Sequence, residues 1–244
     1  MNRSRYWLVV PAAGIGQRMQ ADCPKQYLRL DGRYILDITL SRLLQHPCFS
    51  GCMVALHPED SWWPGTLAST NPRIHTCTGG RERADSVLAA LAALATRAAP
   101  DDWVLVHDVA RPCLHPGDLD RLITRLSGHA VGGLLAAPVT DTLKRTRPGS
   151  LEVEATVDRS SLWRALTPQM FRYQILAEAL VKALDAGVAV TDEASAVEHA
   201  GLIPELVEGR SDNLKITLPA DLALAGFILG QIGGGPSVPN SENQ

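Results

Sequence analysis

The sequence predicts an α/β fold, a mostly parallel twisted sheet with helices on both faces and a protruding β-hairpin arm. Three observations predict it. Apolar runs of strand length alternate with helical periodicity along most of the 244 residues, the pattern of a sheet covered on both sides. The runs at 6–10 (YWLVV) and 103–107 (WVLVH) are almost continuously apolar, as strands buried on both faces must be. The stretch 136–164 breaks the rhythm, with alternating segments on either side of a Pro148-Gly149 turn pair.

Taken in order, strands are expected at 6–10, 51–56, 73–78 and 103–107. A helix over 35–44 sets Leu36, Leu40, Leu43 and Leu44 on one stripe, and 83–97 is Ala/Leu-rich after a Gly-Gly turn. Leu119, Leu122, Ile123 and Leu126 recur at helical spacing over 118–126. The hairpin arm, about 138–162, has too few apolar residues for a core of its own, so it must lie on the body or reach another subunit. A strand at 165–171, helices at 173–186 and 193–200, and short strands at 203–208 and 214–217 follow. A last helix over 220–231 starts beside Pro219, a residue suited to an early helical position. Residues 1–232 read as one domain and 233–244 (GGGPSVPNSENQ) as a flexible, solvated tail.

Composition excludes several function classes. Hydrophobic residues are 45% and charged residues 20%, values of an ordinary globular domain. With 23 Lys+Arg against 26 Asp+Glu, the net charge of −3 is too balanced for a dedicated nucleic-acid binder. No apolar run reaches the roughly 18 residues of a membrane span, and the N-terminus carries no signal-peptide pattern, so a cytoplasmic protein is expected. Five scattered cysteines, Cys23, Cys48, Cys52, Cys77 and Cys113, read as buried free thiols rather than a disulfide framework. Cys48 and Cys52 lack a second Cys/His pair at zinc spacing.

The strongest chemical signal is the first turn. Pro11-Ala12-Ala13-Gly14-Ile15-Gly16-Gln17-Arg18-Met19 follows the first strand. Small residues there let the backbone approach a ligand, and free amides can cradle phosphate oxygens. Met19 stands where a dinucleotide fingerprint needs its third Gly, and no Walker A Gly-Lys-Ser/Thr is present. Arg18 and Lys25 instead flank the loop, as suits the charge that builds on a polyphosphate under attack. A plain Gly turn with solvated cations is the alternative.

PAAGIGQRM with CPKQYLRLDGRYIL, then GGRERADSVLAAL, WVLVHDVARPCL, AAPVTDTLKR, TVDRSSLWRALTPQMF, VTDEASAVE and LVEGRSDNLKIT, resembles the 2-C-methyl-D-erythritol 4-phosphate cytidylyltransferases. The likeness spans nearly all of 6–225. The blocks around His107-Asp108, Thr191-Asp192-Glu193 and Asn213-x-Lys215 narrow it beyond the wider sugar-nucleotide pyrophosphorylases. The resemblance implies a Rossmann-like nucleotidyltransferase fold and an enzyme of the non-mevalonate isoprenoid route. This enzyme joins CTP to methylerythritol 4-phosphate, releases pyrophosphate and uses Mg²⁺.

Site residues follow by the same resemblance. Arg18, Lys25 and Lys215, the last on the short strand before the final helix, would be catalytic. Pro11, Ala12, Ala13, Gly14, Gly16, Gly80 and Ser86 would bind CTP, with Gly80 backbone and the Ser86 hydroxyl recognising cytosine. Asp108, Arg111, Thr142, Arg159, Thr167 and Thr191 would bind the sugar phosphate, with Arg159 reaching the partner's site in a homodimer formed through the arm. Alternatives remain: Ser86 as a polar residue of a first helical turn, Asp108 and Arg111 as a structural ion pair, Arg159 as an exposed hairpin charge. His107 reads as a packed strand-end residue, and Arg81 stands where some relatives carry an acid. No residue cluster resembles a closed metal cage, so Mg²⁺ is expected to arrive with CTP. A polyol such as ribitol 5-phosphate is the rival acceptor, and a catalytically silent nucleotide-binding protein the rival class. The adjacent Trp62 and Trp63 could cap the core or form an exposed patch.

Overall fold

The computed structural model describes residues 4–14 and 23–233. A seven-stranded sheet runs in the order β11-β7-β10-β6-β1-β4-β5. Its members are β1 (Tyr6–Ala12), β4 (Phe49–Leu56), β5 (Ile74–Thr78), β6 (Trp103–Val106), β7 (Gly132–Pro138), β10 (Trp163–Arg172) and β11 (Glu205–Glu208). β1 pairs in parallel with β4 and β6, β4 with β5, and β11 with β7, while β10 is antiparallel to both β6 and β7.

Alternation along β1 shows why the sheet is covered twice. Leu8, Val10 and Ala12 join a core with Leu36, Leu40 and Leu43 of α1 (Ile35–Leu44) and Leu119 and Leu122 of α3 (Pro116–Leu126). Trp7 and Val9 face the other core, with Val87 and Leu91 of α2 (Arg83–Leu94), Leu176 and Leu180 of α4 (Tyr173–Asp185), and Val197 of α5 (Glu193–His199). Successive residues of a strand point to opposite faces, so one continuous apolar run feeds both. A third cluster seats α6 (Pro219–Gly233) on α1, through Ala225, Ile228, Ile35 and Ile38.

Several expectations need correction. Residues 214–217 form no strand; the segment is tied by the Ile216 N–H to the Ala110 carbonyl at 2.8 Å. Helix α2 ends at Leu94, where Arg97 N–H reaches back only three residues, to the Leu94 carbonyl. Strand β7 has no counterpart in the sequence reading. Its GGLLAAP run is poor in β-branched and aromatic residues, and only its neighbours make it a strand. A small hairpin, β2 (Arg29–Leu30) with β3 (Arg33–Tyr34), also went unread. Asp31 and Gly32, at φ 50° and 77°, supply the two left-handed residues that a type I′ turn requires. Of the cysteines, Cys52 and Cys113 are buried, whereas Cys23, Cys48 and Cys77 are half-buried. The tail beyond Gly233 lies outside the described residues.

The arm is present as β8 (Leu143–Thr146) against β9 (Val153–Val157), a sheet of its own. It is exposed almost throughout, including Leu151 and Val153. Among the described residues no helix is long and apolar enough to cross a membrane.

Candidate functional site

From β1 the chain builds β4 and β5 on one side, then returns to lay β6 on the other. Such a reversal opens a crevice at the carboxyl ends of the strands, where open α/β sheets bind ligands. A cavity of about 240 Å³ lies there. Pro11, Ala12, Ala13 and Gly14 line it from the end of β1, Gly80 and Ser86 from the start of α2, Asp108 from the loop after β6, and Lys25 and Lys215 from the sides. Nine of the sequence-predicted site residues thus share one cavity. Arg18 and Gly16 lie outside the described residues.

Local contacts explain how each group is placed. Lys25 begins a single 3-10 turn. The next residue, buried Gln26, donates to the Ala12 carbonyl at 2.7 Å, and the Tyr27 hydroxyl donates to Asp60 Oδ2 at 2.6 Å. Trp62 stacks on Tyr27, ring centroids 6.0 Å apart, while Trp63 packs on the core. The double Trp is therefore split between a half-exposed stack and a core edge.

The Gly79-Gly80 turn is short of room. A Cβ on Gly79 would stand 2.6 Å from Ala13 Cβ, and one on Gly80 would stand 2.2 Å from Asp85 Cβ. Gly80 N–H donates to Ser86 Oγ at 3.1 Å, and that hydroxyl lies 3.1 Å from the Glu82 carbonyl. With its proton given to a carbonyl and one lone pair taken, Ser86 Oγ keeps one acceptor position.

Asp108 is the electrostatic centre. Arg83 Nε donates to its Oδ1 at 2.9 Å, and Lys215 Nζ lies 2.8 Å from Oδ2. Arg111 Nε stands off at 3.6 Å, beyond hydrogen-bond length. Burial opposes the Asp108 charge, but Arg83, Lys215 and Arg111 outweigh it and hold the carboxyl far below the usual range. The Asp108–Arg111 ion pair, the alternative reading of these two residues, is thus the longest of three.

Arg83 and Glu193 were not singled out in the sequence, although both stand in blocks that were. Arg83 is bidentate to fully buried Glu193, Nη1–Oε1 2.6 Å and Nη2–Oε2 3.1 Å. One guanidinium therefore ties the start of α2 to the start of α5 and to Asp108. Burial raises the Glu193 carboxyl above its ordinary value, and Arg83 offsets only part of that rise. Asp192 caps α5, accepting from Ser195 N–H at 2.9 Å, and Gln169 Nε2 of β10 donates to the same side chain at 2.9 Å.

Four predicted residues do not line the cavity and keep other company. Thr167 is buried, and its hydroxyl accepts from the Asp108 N–H at 3.2 Å. The Arg111 carbonyl can only accept, so His107 Nε2 carries the proton there, at 3.0 Å, and Nδ1 accepts from the Thr167 hydroxyl at 3.1 Å. Complete burial lowers the His107 pKa to about 4, so the ring is neutral. Thr191 is exposed beside the α5 cap, and Thr142 is exposed on the arm. Exposed Arg159 donates to the Thr140 carbonyl at the arm's base.

Arg111 also lies outside the cavity lining. It donates to the Asn213 carbonyl at 2.7 Å, while buried Asn213 donates to the Thr167 carbonyl at 2.7 Å. These two bonds hold residues 213–215 so that Lys215 faces Asp108.

Comparison with known proteins agrees with this architecture. Residues 6–231 match the family model described as IspD, 2-C-methyl-D-erythritol 4-phosphate cytidylyltransferase. A Pseudomonas putida protein of that name is 55% identical over 218 residues, 89% of this chain and 92% of its own. One from Vibrio atlanticus is 54% identical over 223 residues, 91% and 94%. Among solved structures, a 4-diphosphocytidyl-2C-methyl-D-erythritol synthase superposes with a TM-score of 0.81 at 38% identity, covering 94% of this chain and all of its own. The Francisella tularensis cytidylyltransferase gives 0.81 at 36%, covering 92% and 100%.

Proposed function

The chain belongs to the 2-C-methyl-D-erythritol 4-phosphate cytidylyltransferase family, and we propose that the cavity between β1, α2 and the loop after β6 is its active site. The reaction transfers CMP from CTP to 2-C-methyl-D-erythritol 4-phosphate. A phosphate oxygen of the sugar phosphate attacks the α-phosphorus of CTP while the bond to the β-phosphate oxygen breaks, so the products are the cytidine diphospho-alcohol and pyrophosphate. Such a transfer needs alignment and charge neutralisation rather than a covalent intermediate.

One observation carries the assignment: Lys25, Lys215 and Asp108 converge on a cavity at the carboxyl ends of parallel strands, beside a turn of small residues. The cavity also holds Arg81 and Arg83 against Glu82 and Asp108, a local excess of positive charge in a chain of net charge −3. That excess supports a polyphosphate ligand. Lys25 and Lys215, with Arg18 of the loop, stabilise the negative charge that grows at the α-phosphorus and on the leaving pyrophosphate.

Pro11, Ala12, Ala13 and Gly14 form the backbone cradle for CTP, a role that the family resemblance also gives to Gly16, with the base toward Gly80 and Ser86. The remaining acceptor position of Ser86 Oγ matches the amino group of cytosine and mismatches the carbonyl of uracil. Asp108 orients the sugar-phosphate hydroxyls, with Arg111, Thr167 and Thr191 shaping that side.

Among the described residues no three His, Cys, Asp or Glu side chains could hold a metal. Asp108 is committed to Arg83 and Lys215, a poor donor set for a protein-bound cation. In this reading Mg²⁺ would arrive with CTP and supply neutralisation of phosphate charge.

Thr142 and Arg159 serve the active site of a second copy. A two-stranded hairpin with exposed Leu151 and Val153 is marginal alone, and covering it with the symmetry-related arm closes a dimer. Pyrophosphate release, measured with each nucleoside triphosphate against several polyol phosphates, tests the assignment. Turnover is expected only with CTP and methylerythritol 4-phosphate. Turnover with ribitol 5-phosphate instead would favour the rival acceptor, and no release with any pair would favour a nucleotide-binding protein.

A further inference from the structure

A second cavity, about 390 Å³, lies on the far side of the loop that follows β6. The loop divides the two. Asp108, Val109 and Ala110 face the substrate cavity, whereas His107, Arg111 and Pro112 face the second. Thr39, on the second cavity, donates to the Val109 carbonyl at 2.8 Å, so there the wall is Thr39 set against Val109.

The chemistry of the two spaces differs. Leu43, Leu114, Leu119 and Ile232 give the second cavity apolar walls, and its cations are Arg42 and Arg111. No Asp or Glu lines it among the described residues. Among the described residues the Arg42 side chain has one hydrogen bond, Nη2 to the Leu114 carbonyl at 3.3 Å, and its buried Nε has no acceptor. Arg111 Nε has no hydrogen-bond acceptor among them either, although Asp108 Oδ2 stands 3.6 Å away and Arg111 Nη1 donates to the Asn213 carbonyl. His46 is already used: Nδ1 accepts from the Cys48 N–H, so Nε2 donates to exposed Asp120 at 2.9 Å. Half-buried guanidinium groups against apolar walls, with no carboxylate beside Arg42, favour an anion and disfavour a cation. The apolar walls favour a hydrocarbon body behind the anionic head.

We propose that this cavity is a second ligand site, for a small amphiphilic anion whose phosphate or carboxylate head meets Arg42 and Arg111 and whose apolar chain lies against Leu43, Leu119 and Ile232. Occupant and substrate share the wall at 107–112 but not the same space, so the site binds together with CTP. This inference rests on the second cavity's own lining and not on the roles proposed for Lys25 or Lys215.

Calorimetric titration of the full chain, saturated with CTP and magnesium, tests it with four probes: hexyl phosphate, hexanoate, hexanol and inorganic phosphate. Both hexyl anions should bind, and hexanol and inorganic phosphate should bind at least tenfold more weakly. Comparison of the two anions distinguishes a phosphate from a carboxylate head. Arg42→Met, which keeps an unbranched stem without the guanidinium, should retain turnover and weaken the anions roughly tenfold or more. Ile232→Trp, placed at the cavity rim, should block them even if Arg42→Met does not fold. Displacement of hexyl phosphate by CTP, equal binding of inorganic phosphate, or unchanged affinity in a folded Arg42→Met or Ile232→Trp protein would overturn the proposal.

Discussion

Lys215 Nζ lies 2.8 Å from Asp108 Oδ2, joining a cation from the segment before α6 to a carboxylate from the loop after β6. The pair fixes the ammonium toward the cavity before substrate arrives. Positioning of this kind costs no reorganisation during the reaction.

Removing a cavity cation should therefore act on turnover more than on binding. Lys25→Ala and Lys215→Ala are each expected to lower kcat roughly 10²–10³-fold, the scale of one electrostatic donor, with a much smaller change in CTP affinity. Arg18→Ala should behave alike. Steady-state pyrophosphate release and calorimetric CTP titration separate the two effects, and near-normal turnover in these variants would remove the assignment.

Arg83 should matter for both stability and the acceptor site. Glu193→Ala leaves the half-buried Arg83 guanidinium with one of its two carboxylates and should cost about 3 kcal/mol of stability. It should also raise KM for the sugar phosphate, because Arg83 then no longer holds Asp108 in register with α5. Arg83→Lys cannot reproduce the bidentate contact and should raise KM likewise. Thermal unfolding read beside KM checks this, and a melting temperature equal to the parent's would refute it.

The neutral His107 predicts an acid-sensitive fold. Its pKa is about 4 when folded, against an ordinary 6.5. A depressed folded value means stability present above pH 6.5 that drains away as the pH falls toward 4, about 3 kcal/mol in all. Asn at 107 has no such titration, so His107→Asn should flatten this part of a stability-against-pH curve measured by urea unfolding. An equally steep curve in the variant would assign the acid limb to other groups.

Active sites shared through the arm predict complementation. An Arg159→Ala chain mixed with a Lys25→Ala chain should recover part of the activity that each lacks alone, since the heterodimer holds one intact site. Co-purification of the two chains through different affinity tags establishes the heterodimer, and its inactivity would show that Arg159 does not act in the partner's site.

Much of the lining of the candidate cavity was legible because its signals are short. The small residues from Pro11 to Gly14 follow an apolar strand directly, Lys25 stands close behind, and Gly80 and Ser86 straddle a helix start. Each of these patterns fits within a turn or two of chain. Arg83 was harder to read. In a charged run, GGRERADS, it cannot be told from Arg81 until the fold sets it against Glu193, 110 residues away. Thr167 was singled out by resemblance alone, and its hydroxyl turns out to bridge Asp108 and His107.

Periodicity alone determined the covered sheet, since alternation in β1 and the leucine stripes of α1 and α3 reflect where a strand or helix turns its side chains. Tertiary structure alone decided β7. Its Gly132, at φ 127°, leaves no space for a Cβ, which would stand 2.1 Å from the Met170 carbonyl, and at Gly133 one would stand 1.9 Å from that of Glu205. Propensity weighs a residue against its chain neighbours, whereas these two glycines answer to β10 and β11, strands that the chain supplies only later.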